Sequence, residues 1–421
     1  MTMIADSGVR GSLARSVQRR HVGTFPVPDD VNDLEFPIPG VRLESNNVAT
    51  GDGTGGVVTV TRISLGPGIT DYVTHEKTFE YSTYGIHVGQ DDRLTFFGEG
   101  QLVSVHLIDC REHSAHLGEE ITIEVAVSPH RVLIIPMGVA HTLDGLGGVV
   151  TRDEPVWYAD RNPDWNPDND LVSFSRVETS APVVQVNRHR LPVSAHLLMS
   201  RMSQATNSAV RGAYGGRYRA NIAGETTYVT IRPHWRAAEV EPEPGGPVRR
   251  NNFVLTGPES FTVVPSTDSC TSDVLELCLD CHDGQFTRHL YSRRLLTWLT
   301  GSADARIEII SATGEHRVIA LGDPTIAVTV PPGTWYRMTG SGRVWLRSEM
   351  ELLDVDASSL EHPLGRDVET SDAAHPGPSR PAQESDRYLP GAALHAVARM
   401  EASAMSTTPH RKEVRHVHHR D

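Results

Sequence analysis

The chain has 421 residues, more than one hydrophobic core usually organises, so two domains of ~150 to 200 residues plus leftover chain are expected. Its 39 basic against 53 acidic residues give a net charge of −14, which disfavours nucleic acid and acidic membrane surfaces as partners. Lysine occurs only at Lys77 and Lys412, so Schiff-base and pyridoxal chemistry would rest on Lys77 alone, whereas the abundant arginine suits the holding of anions.

Residues 1–25 are rich in Ser and Arg without periodicity and read as a disordered arm; they lack the apolar run of a signal peptide. Residues 26–180 form a first strand-rich unit. Ile121, Ile123, Val125 and Val127 alternate there with Thr122, Glu124 and Ala126, a period-two pattern with one buried face. Residues 181–250 read as a connector with one helix, at about Val193 to Ala205, where Leu197, Leu198 and Met202 make a partial apolar stripe ahead of the Pro-rich segment 239–247. Residues 251–355 form a second strand-rich unit, in which Leu275, Leu277 and Leu279 alternate with Glu276, Cys278 and Asp280. Residues 356–421, rich in Pro, Ser, His and charge, read as a disordered tail whose terminal histidines could chelate a metal only adventitiously. No apolar stretch approaches the ~20 residues that span a bilayer, and four cysteines do not make a disulfide framework, so a cytoplasmic protein is expected.

The two strand-rich units repeat one another. Gly118-Glu119 opens a run that ends in Pro136-Met137-Gly138, and Gly314-Glu315 opens one that ends in Pro331-Pro332-Gly333, both turns recurring at an offset of ~195 residues. Upstream, the stretches from Leu102 to Leu107 and from Leu295 to Thr300 are expected to occupy equivalent places. Short antiparallel strands joined by Gly and Pro-x-Gly turns are the pattern of a double-sheet jelly roll. Ile135-Pro136-x-Gly138-x-Ala140-His141 resembles the second motif of the cupins, in which the Pro and Gly shape a turn and the His points into the barrel mouth. The expected fold class is therefore all-β: two tandem cupin (jelly-roll) barrels with a short helical connector and disordered tails. A β-sandwich carrier module is the alternative.

Metal-binding cupins supply His-x-His and a following Glu from a first motif and a third His from the second. Here His87 is followed two residues on by Gly89, and in the second unit Tyr336 stands where His141 stands in the first. Tyrosine is a poor replacement for a neutral imidazole on a first-row metal. Neither a catalytic metal nor any other cofactor is expected.

Residues 79–174 resemble, more specifically, the metal-free dTDP-4-dehydrorhamnose 3,5-epimerases. Tyr84-Gly85-Ile86-His87 is similar to that family's Arg-Gly-Leu-His, Gln101-Leu102-Val103 to its Lys-Leu-Val, and Asp109-Cys110-Arg111-Glu112-His113-Ser114 to its Asp-x-Arg-x-x-Ser; the Ala140-His141 stretch matches as well. The resemblance implies that His87 is a general base, with His141 as a second imidazole, Asp109 orienting a histidine, and Arg111 or Arg93 meeting a diphosphate. Tyr84 and Gln101 take the places of the family's Arg and Lys. The family's catalytic Tyr has no clear match; Arg152 is nearest by spacing and Tyr158 lies six residues further on.

The second unit resembles, more loosely, the sugar-nucleotide 3,4-ketoisomerases. This implies His289 as base with Tyr291 in the neighbouring place, Arg288 nearby together with Arg293 and Arg294, and Trp335 and Tyr336 stacking on a sugar or base. Retention of this barrel for packing or dimerisation alone is the other reading. Cys278-Leu279-Asp280-Cys281-His282 has the c-type haem attachment spacing, and with Cys270 it could also supply a structural zinc. The expected function is a metal-independent epimerase or ketoisomerase acting on a nucleotide-activated 4-keto-6-deoxy sugar. The expected partner is that small molecule, with neither nucleic acid nor membrane, and the protein is expected to be a homodimer. The alternatives are a non-catalytic sugar-binding or regulatory bicupin and a metal-dependent oxygenase or lyase.

Overall fold

The structure is a computed structural model. It describes residues 15–46, 48–53, 56–62, 71–159, 170–191, 216–222, 225–231, 248–250, 261–265, 271–281, 284–290, 292–311, 313–324, 326–352, 368–371 and 376. Among them strands dominate, and the one helical element is the 3-10 turn Leu279–Cys281. No helix among the described residues is long and apolar enough to cross a membrane. The expected helix near Val193, the segment 239–247, Cys270, His282, Tyr291 and the terminal histidines lie outside the described residues.

The chain forms two tandem jelly-roll barrels. In the first, one sheet runs Leu171–Ser175, Thr83–His87, Val139–Asp144, Leu102–Asp109, Glu119–Ala126 and Arg20–Pro26. The facing sheet runs Phe261–Pro265, Asp71–His75, Val150–Asp153, Gln90–Phe97, Arg131–Ile135, Arg42–Ser45 and Leu34–Glu35. Alternate residues of both sheets point inward, so Val103, Val105, Leu107, Ile121, Ile123, Leu133 and Ile135 meet Leu94 and Phe96 in one core.

The second barrel repeats the central order of both sheets. Its larger sheet runs Val48–Gly53, Gly56–Arg62, Thr271–Cys278, Arg343–Leu352, Ser292–Gly301, Ile326–Val330 and Val248–Arg250. Its smaller sheet runs Val368–Ser371, Phe286–His289, Trp335–Thr339, Arg306–Ile310 and His316–Ala320. The turns match as well. Gly118 and Gly314 both have φ of 81°, and Gly138 and Gly333 have 79° and 73°, left-handed values that glycine alone adopts without strain. The topology corrects one sequence equivalence: the counterpart of Leu102–Asp109 is Arg306–Ile310, because each pairs with the strands on either side in the same way. Leu295 to Thr300 belongs instead to the strand that corresponds to Gln90–Phe97.

Two further differences follow from strand pairing. The barrels exchange strands: Gly56–Arg62 pairs with Thr271–Cys278, and Phe261–Pro265 pairs with Asp71–His75. The segments expected as disordered also contribute strands. Ser16–Gln18 pairs with Ser180–Pro182, Arg20–Pro26 runs parallel to Glu119–Ala126, and Val368–Ser371 pairs with Phe286–His289. Their polar, aperiodic sequences hide this because edge strands satisfy their backbone on one side and leave most side chains in water.

The barrels meet through their larger sheets. Tyr72, Phe97 and Val150 of the first pack against Val274, Leu299 and Trp345 of the second, all fully buried, and Thr300 donates to the Gly148 carbonyl at 2.7 Å. Two buried ion pairs flank this cluster, Arg152–Glu154 at 3.0 Å and Arg347–Glu349 at 2.9 Å. The Arg152 guanidinium lies 5.8 Å from the Phe97 ring centre and that of Arg347 5.7 Å from Tyr72. Truncating Trp345 to Ala leaves a cavity under both sheets and is expected to cost about 3–5 kcal/mol in denaturant unfolding. A loss below about 1 kcal/mol would show that this contact contributes little.

Candidate functional site

The site in the first barrel begins with the turn that the Pro-x-Gly sequence dictates. Gly138 donates its N–H to the His87 carbonyl at 2.7 Å, which fixes the end of Thr83–His87 against the turn leading into Val139–Asp144. A Cβ at Gly138 would lie 2.5 Å from Arg111 Cγ and 2.6 Å from Val186 Cγ1, so the position has no room for a side chain. His141 then pairs across the sheet with Gly85. The two imidazoles lie with ring centres 5.8 Å apart and planes inclined by 23°.

Two carboxylates complete the group. Asp170, immediately before Leu171–Ser175, is fully buried; its Oδ2 lies 2.9 Å from His87 Nδ1, and its Oδ1 accepts the Gly89 N–H at 2.6 Å. That bond holds the His87 ring and leaves Nε2 toward Asp92, whose Oδ2 is 3.9 Å away. The same Asp92 oxygen is 3.2 Å from His141 Nε2, and Gln90 donates to the other Asp92 oxygen. The His87 side chain keeps 21% exposure and that of His141 15%, so the group is walled in but reachable.

The electrostatics separate the two imidazoles. Burial lowers the affinity of His87 for a proton, but Asp92, the hydrogen bond and charge of Asp170, and Asp153 outweigh it and push its pKa up to about 9. Burial dominates at His141, whose pKa falls below the ordinary value despite Asp92, with the charge of His87 adding to the decrease. At neutral pH the site holds one imidazolium and one neutral imidazole about a shared carboxylate.

The structure distributes the sequence-derived candidates unevenly. His87 and His141 converge, but Asp109 does not orient either. Its oxygens are taken by Arg111, with N–H, Nε and Nη2 contacts of 3.0, 2.9 and 2.6 Å, and by Ser114 at 2.6 Å. Arg111 also donates to the Pro39 carbonyl, so this pair braces the turn. Tyr84 points to the outer side of its sheet, stacked on Phe174 at 5.1 Å and bonded to Arg19 and Glu120; burial, with Glu120 adding, pushes its pKa up to about 12. Arg93 is on the outer face of its strand, 3.5 Å from Glu44. Gln101 precedes Leu102–Asp109 at the end of that strand remote from His141, which pairs with Leu107. Tyr158 lies at the rim, hydrogen-bonded to Asp91 beside Asp92, and burial and Asp91 push its pKa up to about 12.

In the second barrel His289 and Tyr336 meet, Nε2 to Oη 3.0 Å, and Arg288 lies 4.3 Å over the Trp335 ring. Trp335 is nearly buried, in a cluster with Phe286 and Ile310. Of the cysteine cluster, Cys278 is half-buried at the end of Thr271–Cys278.

Asp92 and Asp170 are missing from the sequence-derived set. Asp92 had a signal: alternation puts it on the inward face with Leu94 and Phe96, where an ionisable residue is costly unless it has partners. Asp170 had none, since only folding brings it to His87.

Among the described residues His87, Asp92 and His141 place three ligand atoms within 4.8 Å of one another, a donor set that suits a first-row divalent metal. Asp170 would then orient His87 from behind, as a carboxylate does for many metal-bound imidazoles.

With metal-free protein, a histidine NMR titration is expected to show His87 charged up to about pH 9 while His141 is neutral at pH 7. Because the folded pKa of His87 is raised, its contribution to stability is complete below about pH 6.5 and is lost as pH rises through about 9. Asp170→Asn is expected to lower the His87 midpoint; an unchanged midpoint would remove Asp170 from this account.

No family model matches the chain, and no curated protein matches it. Among solved structures it is similar to a dTDP-6-deoxy-D-glucose-3,5-epimerase from Legionella pneumophila in complex with dTDP-4-keto-L-rhamnose, with 14% identity over 37% of this chain and 86% of that one and a TM-score of 0.26. A dTDP sugar isomerase from Desulfovibrio desulfuricans gives 17% identity, 36% and 88% coverage and a TM-score of 0.24. An oxalate decarboxylase from Lactobacillus farciminis gives 9% identity, 81% and 87% coverage and a TM-score of 0.20.

Proposed function

We propose that the first barrel is the active site of a metal-independent isomerase that moves a proton beside a ketone, acting on a nucleotide-activated 4-keto-6-deoxy sugar. The observation that carries this reading is the His87–Asp170 dyad at the barrel mouth. Asp170 holds His87 Nδ1, so Nε2 is the atom that faces a substrate. In its neutral form, the minor one at neutral pH and the major one above about pH 9, that nitrogen takes the proton from the carbon next to the ketone, and the electron pair passes into the carbonyl to give an enolate. Return of a proton to the opposite face of that carbon inverts it. His141, stacked beside His87, and the hydroxyl of Tyr158, bonded to Asp91, are the candidate donors. The choice of a nucleotide sugar rests on the sequence resemblance of residues 79–174 to the epimerases.

Incubation with a dTDP-4-keto-6-deoxy sugar in deuterated water is expected to place deuterium on a carbon adjacent to the ketone. His87→Asn is expected to slow this by ~10²-fold or more, the usual contribution of a positioned acid or base. Absence of label with the native protein, or unchanged labelling in His87→Asn, would overturn the reading.

The closeness of His87, Asp92 and His141 favours a second reading. A divalent metal held there would supply Lewis-acid polarisation of a bound oxygen. Elemental analysis distinguishes the two: stoichiometric metal that disappears in Asp92→Ala, with exchange abolished by chelator, favours the metal. Chelator-insensitive exchange favours the dyad.

A further inference from the structure

The two barrel mouths share a frame and differ in charge. In the second barrel Gly333 donates its N–H to the His289 carbonyl, as Gly138 does to His87 in the first. The His289 and Tyr336 rings lie 5.9 Å apart and inclined by 25°, against 5.8 Å and 23° for His87 and His141. His289 therefore stands for His87 and Tyr336 for His141.

The third position is settled by strand register. Asp92 lies opposite Ile135, directly before the Pro-x-Gly turn of the first barrel, and Arg294 lies opposite Val330, directly before that of the second. By alternation Arg294 shares the inward face of its strand with Leu296 and Trp298, which contact the barrel core. At the register position of the carboxylate between two imidazoles in the first barrel, the second barrel thus carries an arginine.

Among the described residues, that guanidinium has no counter-charge directly across either strand. Its cross-strand neighbours are Val330 and Met350, and its Nε is buried without a hydrogen-bond partner. That nitrogen gives up its hydration with no hydrogen bond in its place, while the residue as a whole stays half-buried. Asp92 in the first barrel, by contrast, has Gln90 and His141. Asp367, which precedes Val368 in sequence as Asp170 precedes Leu171, lies outside the described residues.

We propose that the mouth of the second barrel is an oxyanion-binding site centred on Arg294, with His289 and Tyr336 as further hydrogen-bonding groups. Its ligand carries a carboxylate or a phosphate, the two groups whose paired oxygens match a guanidinium. This assignment is independent of the activity proposed for the first barrel. It gives the chain two sites of opposite electrostatic sign, one suited to a cation or a mobile proton and the other to an anion.

The test uses the full chain, titrated separately with inorganic phosphate and with oxalate, and follows the His289 ring resonances and the melting temperature. At least one anion is expected to give a saturable shift at His289 together with a rise in melting temperature. Arg294→Gln is expected to weaken that binding tenfold or more, Arg294→Lys to weaken it less, and the exposed control Arg306→Gln to leave it within twofold. Phosphate alone saturating would identify a phosphate site, and oxalate alone a carboxylate site. Absence of a saturable His289 response to either anion in the native protein overturns the proposal, and this outcome does not depend on whether any variant folds. Binding by folded Arg294→Gln within twofold of native, or an equal loss in Arg306→Gln, overturns it as well.

Discussion

One backbone hydrogen bond, made twice, positions the chemistry of this protein. In each barrel the glycine of the Pro-x-Gly turn donates to the carbonyl of a histidine at the end of a neighbouring strand. The left-handed conformation at Gly138 and Gly333 lets the turn close on that strand, and the residue three positions on then lies beside the imidazole. In the first barrel that residue is His141 and in the second Tyr336. Because the backbone fixes the frame, side chains within it are free to diverge. Asp92 and Arg294 stand at the same register position with opposite charge, while the spacing and inclination of the paired rings are kept.

The pairing of the barrels protects this frame. The first barrel's larger sheet carries one strand drawn from the other half of the sequence and the second barrel's carries two, and their contact buries Tyr72, Phe97, Val150, Val274, Leu299 and Trp345. The flanking pairs Arg152–Glu154 and Arg347–Glu349 recur at matching positions in the two strands that meet there. A buried ion pair of this kind adds little net stability, but loss of one partner leaves an uncompensated charge and is severely destabilising. The strand of Trp345 pairs with the strand that carries Arg294, and the strand of Val150 pairs with the strand that carries Asp92. The strands that carry Asp92 and Arg294 also send Phe97 and Leu299 into that contact, so each site shares a strand with the interface.

The fold was legible in sequence wherever turns and alternation carried it. The glycines at 118, 138, 314 and 333 marked both repeats, and the alternation around Ile121 and Leu275 identified buried faces. Strand exchange was not legible, because pairing between residues far apart in sequence leaves no local periodicity. The same limit explains the mixed outcome at the site. His87 and His141 lie on adjacent paired strands of one sheet and were readable, whereas Asp170 reaches His87 only through the pairing of Leu171–Ser175 with Thr83–His87. Asp109, Arg111 and Tyr84 matched an epimerase pattern in sequence, yet folding commits them to a turn and to the outer face of the sheet. Matching residue types did not ensure matching orientation.

The central claim is that His87 and Asp170 act as one unit in moving a proton. A double-mutant cycle on the rate of deuterium incorporation, comparing native protein with His87→Asn, Asp170→Asn and the double variant, tests it most directly. If Asp170 acts only through the His87 ring, the double variant exchanges no more slowly than His87→Asn alone, so the two losses are strongly non-additive. Losses that add independently would contradict the dyad.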